Sequence, residues 1–411
     1  MNILLRNSQL ETRNSKLSIT GSKSETNRLL LLQALYPNIS LENTSNSDDS
    51  EVMLNALESN TQLIDVHHAG TTMRFLTAFF AIHEGKEILL TGSSRMKERP
   101  IKILVDALKQ LGAEITYEEN EGFPPIKIKG KKLTKKRVSL PANVSSQYIS
   151  ALLLIAPKLE NGLELTLEGE ITSIPYIKMT LALLNEIGIK TSFQNNIIKV
   201  NPKPETLNSQ HVTIESDWSS ASYWYSIVAL SEIGTKITLS SYKQNSLQGD
   251  AALVEIYKNF GVETVFNNDN SISISKINFK NQTSLFFNLQ SSPDIAQTIA
   301  VTCFGLGIGC RLTGLHTLKI KETDRLEALK TELSKLGANI VVTNDALTIQ
   351  ESESLKSNIK IATYQDHRMA MAFAPLALKT SLIIENAEVV SKSYPTFWED
   401  LKAVGFLFEK Q

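Results

Sequence analysis

One phrase recurs along the chain: apolar residues at helical spacing, then a glycine, then a short β-branched run. It reads Leu104-Val-Asp-Ala-Leu-Lys-Gln-Leu-Gly112-Ala-Glu-Ile, and again from Leu181 to Gly188, Leu253 to Gly261 and Leu329 to Gly337. A looser copy runs from Leu401 to Gly405. Each copy predicts an amphipathic helix with one buried face. The glycine ends it, because glycine enters the left-handed cap conformation without steric cost. A strand follows. The glycines recur at intervals of 68 to 76 residues, the size of a supersecondary unit of several strands and helices. An earlier copy starts at Met53, with Asn60 in the glycine slot. Its step to Gly112 is 52, so that unit is short by about 24 residues. Repeated α/β units in two groups predict a two-lobed α/β molecule whose first unit is shortened. The apolar runs Phe75–Ile82 and Thr298–Cys310 are shorter than the roughly 18 residues a membrane span needs. They read as buried helices or strands.

Composition narrows the class. A chain of 411 residues exceeds one ordinary core, which again predicts two domains. Lys+Arg is 42 against 43 for Asp+Glu, so there is no basic excess for a nucleic-acid surface. Cys303 and Cys310 have neither zinc-ligand spacing nor the density of a disulfide framework. A reduced, cytoplasmic protein is expected, since Met1 to Arg13 resembles neither a signal nor a transit segment.

Seven clusters carry candidate chemistry. Gly21-Ser-Lys23-Ser24-Glu-Thr-Asn-Arg28 lies between a strand-like Leu17-Ser-Ile-Thr and four leucines. Basic and hydroxyl side chains in the first turns of a helix suit an anion. A Ser-capped helix with solvated charges is the plainer reading. His68-Ala-Gly70-Thr71-Thr-Met-Arg74 repeats the cradle pattern. The adjacent His67 and His68 do not share a face, so no metal site is expected. Arg95, Lys97 and Arg99 fall in a connection between a strand and a helix, and Ser145-Ser146-Gln147 opens another helix. Lys321, Glu322 and Arg325 fall at the start of a helix running to Leu336. At that spacing Lys321 and Arg325 share a face and repel unless an anion lies between them. Asp366-His367-Arg368 opens an apolar helix, and a capping Asp366 that orients Arg368 is the plainer reading there. Lys392 lies in a final connection. Gly305-Leu-Gly307-Ile-Gly309 lacks the spacing of a nucleotide loop and reads as a packing segment.

The ordered set GSKSETNR, HAGTTMR, RMKERPI, VSSQ, SIPY, DWSSASY, NSLQGD, SPD, KETDR, QDHRMAMA and SKSYP runs from Gly21 to Pro395. It resembles the 5-enolpyruvylshikimate-3-phosphate (EPSP) synthase family. The resemblance implies a two-lobed enolpyruvyl transferase-like fold of βαβαββ units. One lobe would span 21–212, and the other 1–20 plus 213–411. It implies transfer of the enolpyruvyl group of phosphoenolpyruvate to the 5-hydroxyl of shikimate 3-phosphate, in the shikimate pathway. No cofactor, metal, nucleic acid or membrane is implied, and a monomer is expected.

The site implied by the resemblance is extensive. Lys23, Ser24, Arg28, Ser145, Ser146, Gln147, Ser173, Tyr176, Asp294 and Lys321 would hold shikimate 3-phosphate. Lys23, Gly70, Thr71, Arg99, Gln147, Arg325, Arg368 and Lys392 would hold phosphoenolpyruvate. Asp294 would be the base for the hydroxyl, Glu322 would handle the C3 proton, and Lys23 would assist. Guanidinium forks suit the carboxylate and phosphate of these substrates.

The chain departs from the family pattern at His68 and Thr317, where asparagine is usual, at Phe75, usually proline, and in the shortened unit. Glyphosate, which occupies the phosphoenolpyruvate site in the family, is expected to bind, with His68 weakening it. The sister family that acts on UDP-N-acetylglucosamine uses a cysteine in the loop near Arg99-Pro100. Residues 90–100 contain none. A non-catalytic anion-binding protein on the same scaffold is the other alternative. Asp294, Glu322 and Lys23 argue against it.

Overall fold

The computed structural model describes residues 1–8, 10, 14–143, 145–171, 174–203, 209–279, 282–352 and 355–411. The chain forms two compact units: Ser22–Ile214, and Met1–Gly21 with Glu215–Gln411. One subunit plan recurs in both. Strand Leu63–Asp65, helix Gly70–Ala81, strand Glu87–Thr91, helix Lys102–Leu111 and the hairpin Glu114–Tyr117/Ile126–Lys129 show it in full. The first two strands are parallel, and the last strand inserts antiparallel beside the second. The sheets that begin with Arg137–Pro141, Asn14–Leu17, Ser284–Asn288 and Ile359–Ile361 have the same order. In the last of these the N-terminal strand Ile3–Leu5 fills the inner hairpin position, between Leu382–Ile384 and Phe408–Lys410.

The sixth sheet stops at two strands among the described residues. Gln210–Thr213 pairs parallel with Ile39–Glu42. Helix Asp48–Glu58 follows, and strand Leu63–Asp65 of the next subunit comes almost at once. The hairpin is the missing piece, which accounts for the short interval seen in the sequence. One expectation fails here. Asn60 was given the left-handed cap, yet it is not among the residues with positive φ. The helix ends instead on an extended Ser59 (φ −68°, ψ 139°). With no hairpin to enter, the chain needs no reversal. The glycines of the other copies do take the left-handed cap, at φ 108° for Gly112 and 110° for Gly337.

The first helix of each subunit is buried. In the Ser22–Ile214 unit these are α1 (Lys23–Leu35), α2 (Gly70–Ala81) and α3 (Ser146–Ile155), packed together. In the other unit they are α4 (Trp218–Leu230), α5 (Ala296–Gly305) and α6 (His367–Phe373). Helices α2 to α5 are apolar on most sides, which suits the interior, whereas α1 buries Glu25, Thr26, Asn27 and Arg28 ahead of its four leucines. Gly305 closes α5 against Leu376 and Leu230, where an added Cβ would lie 2.7 Å from a leucine methyl. Phe75–Ile82 falls on α2 and its C-terminal cap, and Thr298–Cys310 runs from α5 into strand Gly309–Thr313. Among the described residues no helix is long and apolar enough to cross a membrane.

Candidate active site

The helix starts of the two units carry opposite chemistry. In the Ser22–Ile214 unit the caps are uncharged: Ser22 for α1, Ala69 for α2 and Ser145 for α3. Helix N-termini concentrate unpaired N–H groups and partial positive charge. Cations gather beside them. Lys23, the first residue of α1, pairs with Asp49 at 3.0 Å. Arg99 lies flat over Gly70, and a Cβ on Gly70 would sit 2.5 Å from its Nη1. Only glycine permits that approach. The Arg99 Nε is buried without a hydrogen-bond partner. Gln147 donates to Thr71 Oγ1 at 3.0 Å, tying the start of α3 to that of α2. Helix-start donors and cations placed in this way suit an anion.

Arg28 is set deeper, only 2% exposed. Its Nε donates to Thr180, Nη2 to Ser150 and Nη1 to the Ser24 carbonyl. Phe75 and Tyr176 lie against its guanidinium at 5.4 and 5.9 Å. Burial lowers its pKa to about 10 despite Tyr176 and Glu25, so it stays charged at neutral pH. Arg28 therefore also joins α1, α3 and helix Ile174–Glu186. Ser24 stands beside it and Ser146 is buried at the start of α3. Ser173 and Val144 lie outside the described residues.

In the other unit each of the three helix starts has an acid at its cap or just before it. Asp217 caps α4, Asp366 caps α6, and Asp294 lies in the 3-10 turn Pro293–Ile295 that leads into α5. The cations meet them. Arg325, 2% exposed, gives Nη1 to Asp294 (2.9 Å), Nη2 to Glu322 (2.7 Å) and Nε to Asp366 (2.6 Å). Lys321 Nζ reaches the same Asp294 oxygen at 3.3 Å. Arg368 donates Nη1 to the Asp294 carbonyl and Nη2 to Ser219. Burial pushes Asp294 up, but Lys321, Arg368 and Arg325 outweigh it and hold the carboxyl well below the usual range. Lys392 Nζ donates to the Gln365 carbonyl at 2.7 Å.

Two sequence readings are corrected. Lys321 and Arg325 do not share a helix face. The helix begins at Arg325 with Asp324 as its cap, and Lys321 precedes it in extended conformation. The anion between them is Asp294. Asp366 does cap α6 through the Arg368 N–H, but its side-chain ion pair is with Arg325 rather than Arg368.

Sequence reasoning gave no role to Asp49, Ser219 or Asp250. Asp250 is buried, accepts a hydrogen bond from the Ser219 hydroxyl, and keeps its Oδ1 without a hydrogen-bond partner. Burial, then Asp294, raises it to about 6. The segment before it is fixed by the buried Glu215, which accepts from Lys243 N, Ser246 Oγ and Gln248 Nε2. The acid that ends Asn245-Ser-Leu-Gln-Gly-Asp250 was the available signal.

The model of the family EPSP synthase (3-phosphoshikimate 1-carboxyvinyltransferase) matches residues 56–401. The chain belongs to the EPSP synthase family. A 3-phosphoshikimate 1-carboxyvinyltransferase of Bacteroides fragilis is 46% identical over 395 residues, covering 95% of each chain. The EPSP synthase of Acinetobacter baumannii has the same fold, with a TM-score of 0.80 at 20% identity over the whole of both chains. So does the enolpyruvyl transferase NikO of Streptomyces tendae, with a TM-score of 0.72 at 13% identity over 99% of this chain and 98% of that one. The fold is the two-unit α/β architecture of EPSP synthases and enolpyruvyl transferases, here with one sheet of only two strands among the described residues.

Proposed function

We propose that the chain transfers the enolpyruvyl group of phosphoenolpyruvate to the 5-hydroxyl of shikimate 3-phosphate and releases phosphate. Membership of the EPSP synthase family supports the reaction. The observation that supports the residue assignment is Asp294, one half-buried carboxylate gripped by Lys321, Arg325 and Arg368.

Each substrate brings a carboxylate and a phosphate. On this reading Arg99, Arg325, Arg368, Lys392 and Lys23 receive phosphoenolpyruvate, together with Gln147 and the helix start at Gly70 and Thr71. Ser24, Arg28, Ser145, Ser146, Gln147, Ser173, Tyr176, Lys23, Lys321 and Asp294 receive shikimate 3-phosphate. Substrate anions then compete with Asp294 for the same cations. That competition matters for the chemistry. A carboxylate held well below its usual range is a weak base. As substrate draws Arg325, Arg368 and Lys321 away, Asp294 recovers basicity where the hydroxyl proton must go.

The hydroxyl oxygen attacks C2 while Asp294 takes its proton and Glu322 protonates C3. This gives a tetrahedral intermediate. Return of the C3 proton to Glu322 re-forms the double bond as the C2–O bond to phosphate breaks, and the proton held by Asp294 leaves with the phosphate. The side-chain cations stabilise the charge that develops. Buried, unbridged Cys303 and Cys310 fit a reducing cytoplasm, and the enzyme is read as a monomer.

The test is phosphate release from phosphoenolpyruvate with shikimate 3-phosphate or UDP-N-acetylglucosamine as acceptor. Release only with shikimate 3-phosphate is expected. No release with either, from folded protein, overturns the proposal.

A further inference from the structure

This inference rests on the reading above and concerns a residue where the chain departs from the family pattern. His68 lies two positions before α2, and its Nε2 is 3.9 Å from Asp49 Oδ1. The other oxygen of that carboxylate accepts from Lys23 Nζ at 3.0 Å. The Asp49 side chain is 9% exposed, while that of His68 is 36% exposed. One enclosed carboxylate thus serves two bases. Lys23 keeps its charge across neutral pH, whereas imidazole ordinarily titrates between pH 5 and 8. Asparagine in the same place would have no charge to change.

We propose that His68 is a positioning residue whose protonation sets how much of the Lys23 charge is left for the incoming phosphoenolpyruvate anion. With His68 neutral, Asp49 is committed to Lys23 and largely cancels it. With His68 protonated, Asp49 is shared between two cations, and the cluster gains a net positive charge. The groups around His68 come from several elements. Asp49 is on helix Asp48–Glu58 and Lys23 on α1. Arg99 lies over Gly70 at the start of α2. On its own loop His67, at φ 49°, turns to Asp65 at 3.8 Å, so the two rings have different carboxylate partners. Asp49 favours the imidazolium, and Lys23 on the same carboxylate opposes it. A bound carboxylate-phosphate anion adds to the favouring side. Binding of that anion and uptake of a proton by His68 are therefore linked, each strengthening the other.

The test compares the KM for phosphoenolpyruvate and kcat of the full chain and of its His68→Asn and His68→Gln variants from pH 5.5 to 8.5. Dividing variant by parent cancels the ionisation of the substrate itself. The KM ratio is expected to be about fivefold at the acid end, the size of a modest charge interaction, and to fall toward one by pH 8.5. The kcat ratio stays flatter. A KM ratio independent of pH overturns the proposal. A second readout does not need turnover: the imidazole ¹⁵N resonances of His68 followed through a pH titration. Their midpoint should rise when phosphoenolpyruvate is added and fall in Asp49→Asn. A midpoint unmoved by both overturns the proposal. If the midpoint responds but no phosphate is released with shikimate 3-phosphate, the enzymatic reading fails while the proton linkage stands.

Discussion

Arg325 and Asp366 form an ion pair closed off from solvent, Nε to Oδ2 at 2.6 Å, with the side chains 2% and 0% exposed. The same carboxylate accepts the Arg368 N–H at the start of α6. One acid therefore anchors the central guanidinium and caps the helix that carries Arg368. Removing one partner of a buried pair leaves the other charge uncompensated, which costs about 3–5 kcal/mol. Arg325 keeps Asp294 and Glu322, so Asp366→Ala should lose up to about that much stability in urea unfolding. Asp366→Asn, which keeps a capping oxygen, should lose less.

Asp294→Asn keeps the shape of the site and removes the proposed base. Turnover should fall by about 10²–10⁴-fold, the usual contribution of a positioned proton acceptor. Equilibrium dialysis of shikimate 3-phosphate should show binding retained. Turnover within a few-fold of the parent would remove Asp294 from the mechanism.

Gly70→Ala places a methyl where the Arg99 guanidinium now lies. Arg99 is partly exposed and can swing away, so the fold should survive. On the proposed reading the site then loses a charge-assisted contact with phosphoenolpyruvate, worth about 1.5–3 kcal/mol. The KM for phosphoenolpyruvate should rise by roughly tenfold or more. The KM for shikimate 3-phosphate should change much less. Steady-state kinetics with each substrate varied in turn checks both.

Asp250 is raised to about 6, by burial first and Asp294 second. An acid that titrates higher in the folded state binds more protons there than in the unfolded chain. Its contribution to stability is greatest below pH 4 and declines as pH rises toward 6. Above that, the ionised form is a standing penalty. Asp250→Asn should therefore stabilise the protein at pH 7.5, by roughly 1–3 kcal/mol. The gain should shrink at pH 4.5. Denaturant midpoints at the two pH values check the sign. Loss of activity alongside the gain would mark Asp250 as an acid kept for function.

The repeat was legible because each copy ends on a glycine whose backbone must turn left-handed, a local demand that fixes the residue. The short interval after Asn60 correctly announced missing structure, but not which piece. A helix–glycine–strand phrase does not distinguish a lost hairpin from a lost helix. Asn60 misled because asparagine is permitted in the left-handed cap without being required there. Lys321 and Arg325 misled because spacing of four suggests a helix face only inside one helix, and Asp324 begins the helix at Arg325. Asp49 went unnoticed because an acid in a first helical turn already has a local explanation. Its contact with Lys23 spans 26 positions and is a product of packing.

The two-strand sheet has a dynamic consequence. Gln210–Thr213 is held by a single ladder, to Ile39–Glu42, and it is the last strand before the chain leaves its unit at Ile214. Elsewhere the returning strands of the sheets are braced by hairpins. Protection against hydrogen exchange depends on how many neighbours must let go at once. Opening this seam requires one ladder to break, so amides 210–213 should exchange ahead of those in Ile197–Val200, which is flanked by strands on both sides. Loss of the hairpin leaves the chain's way out as the place where this unit comes apart first.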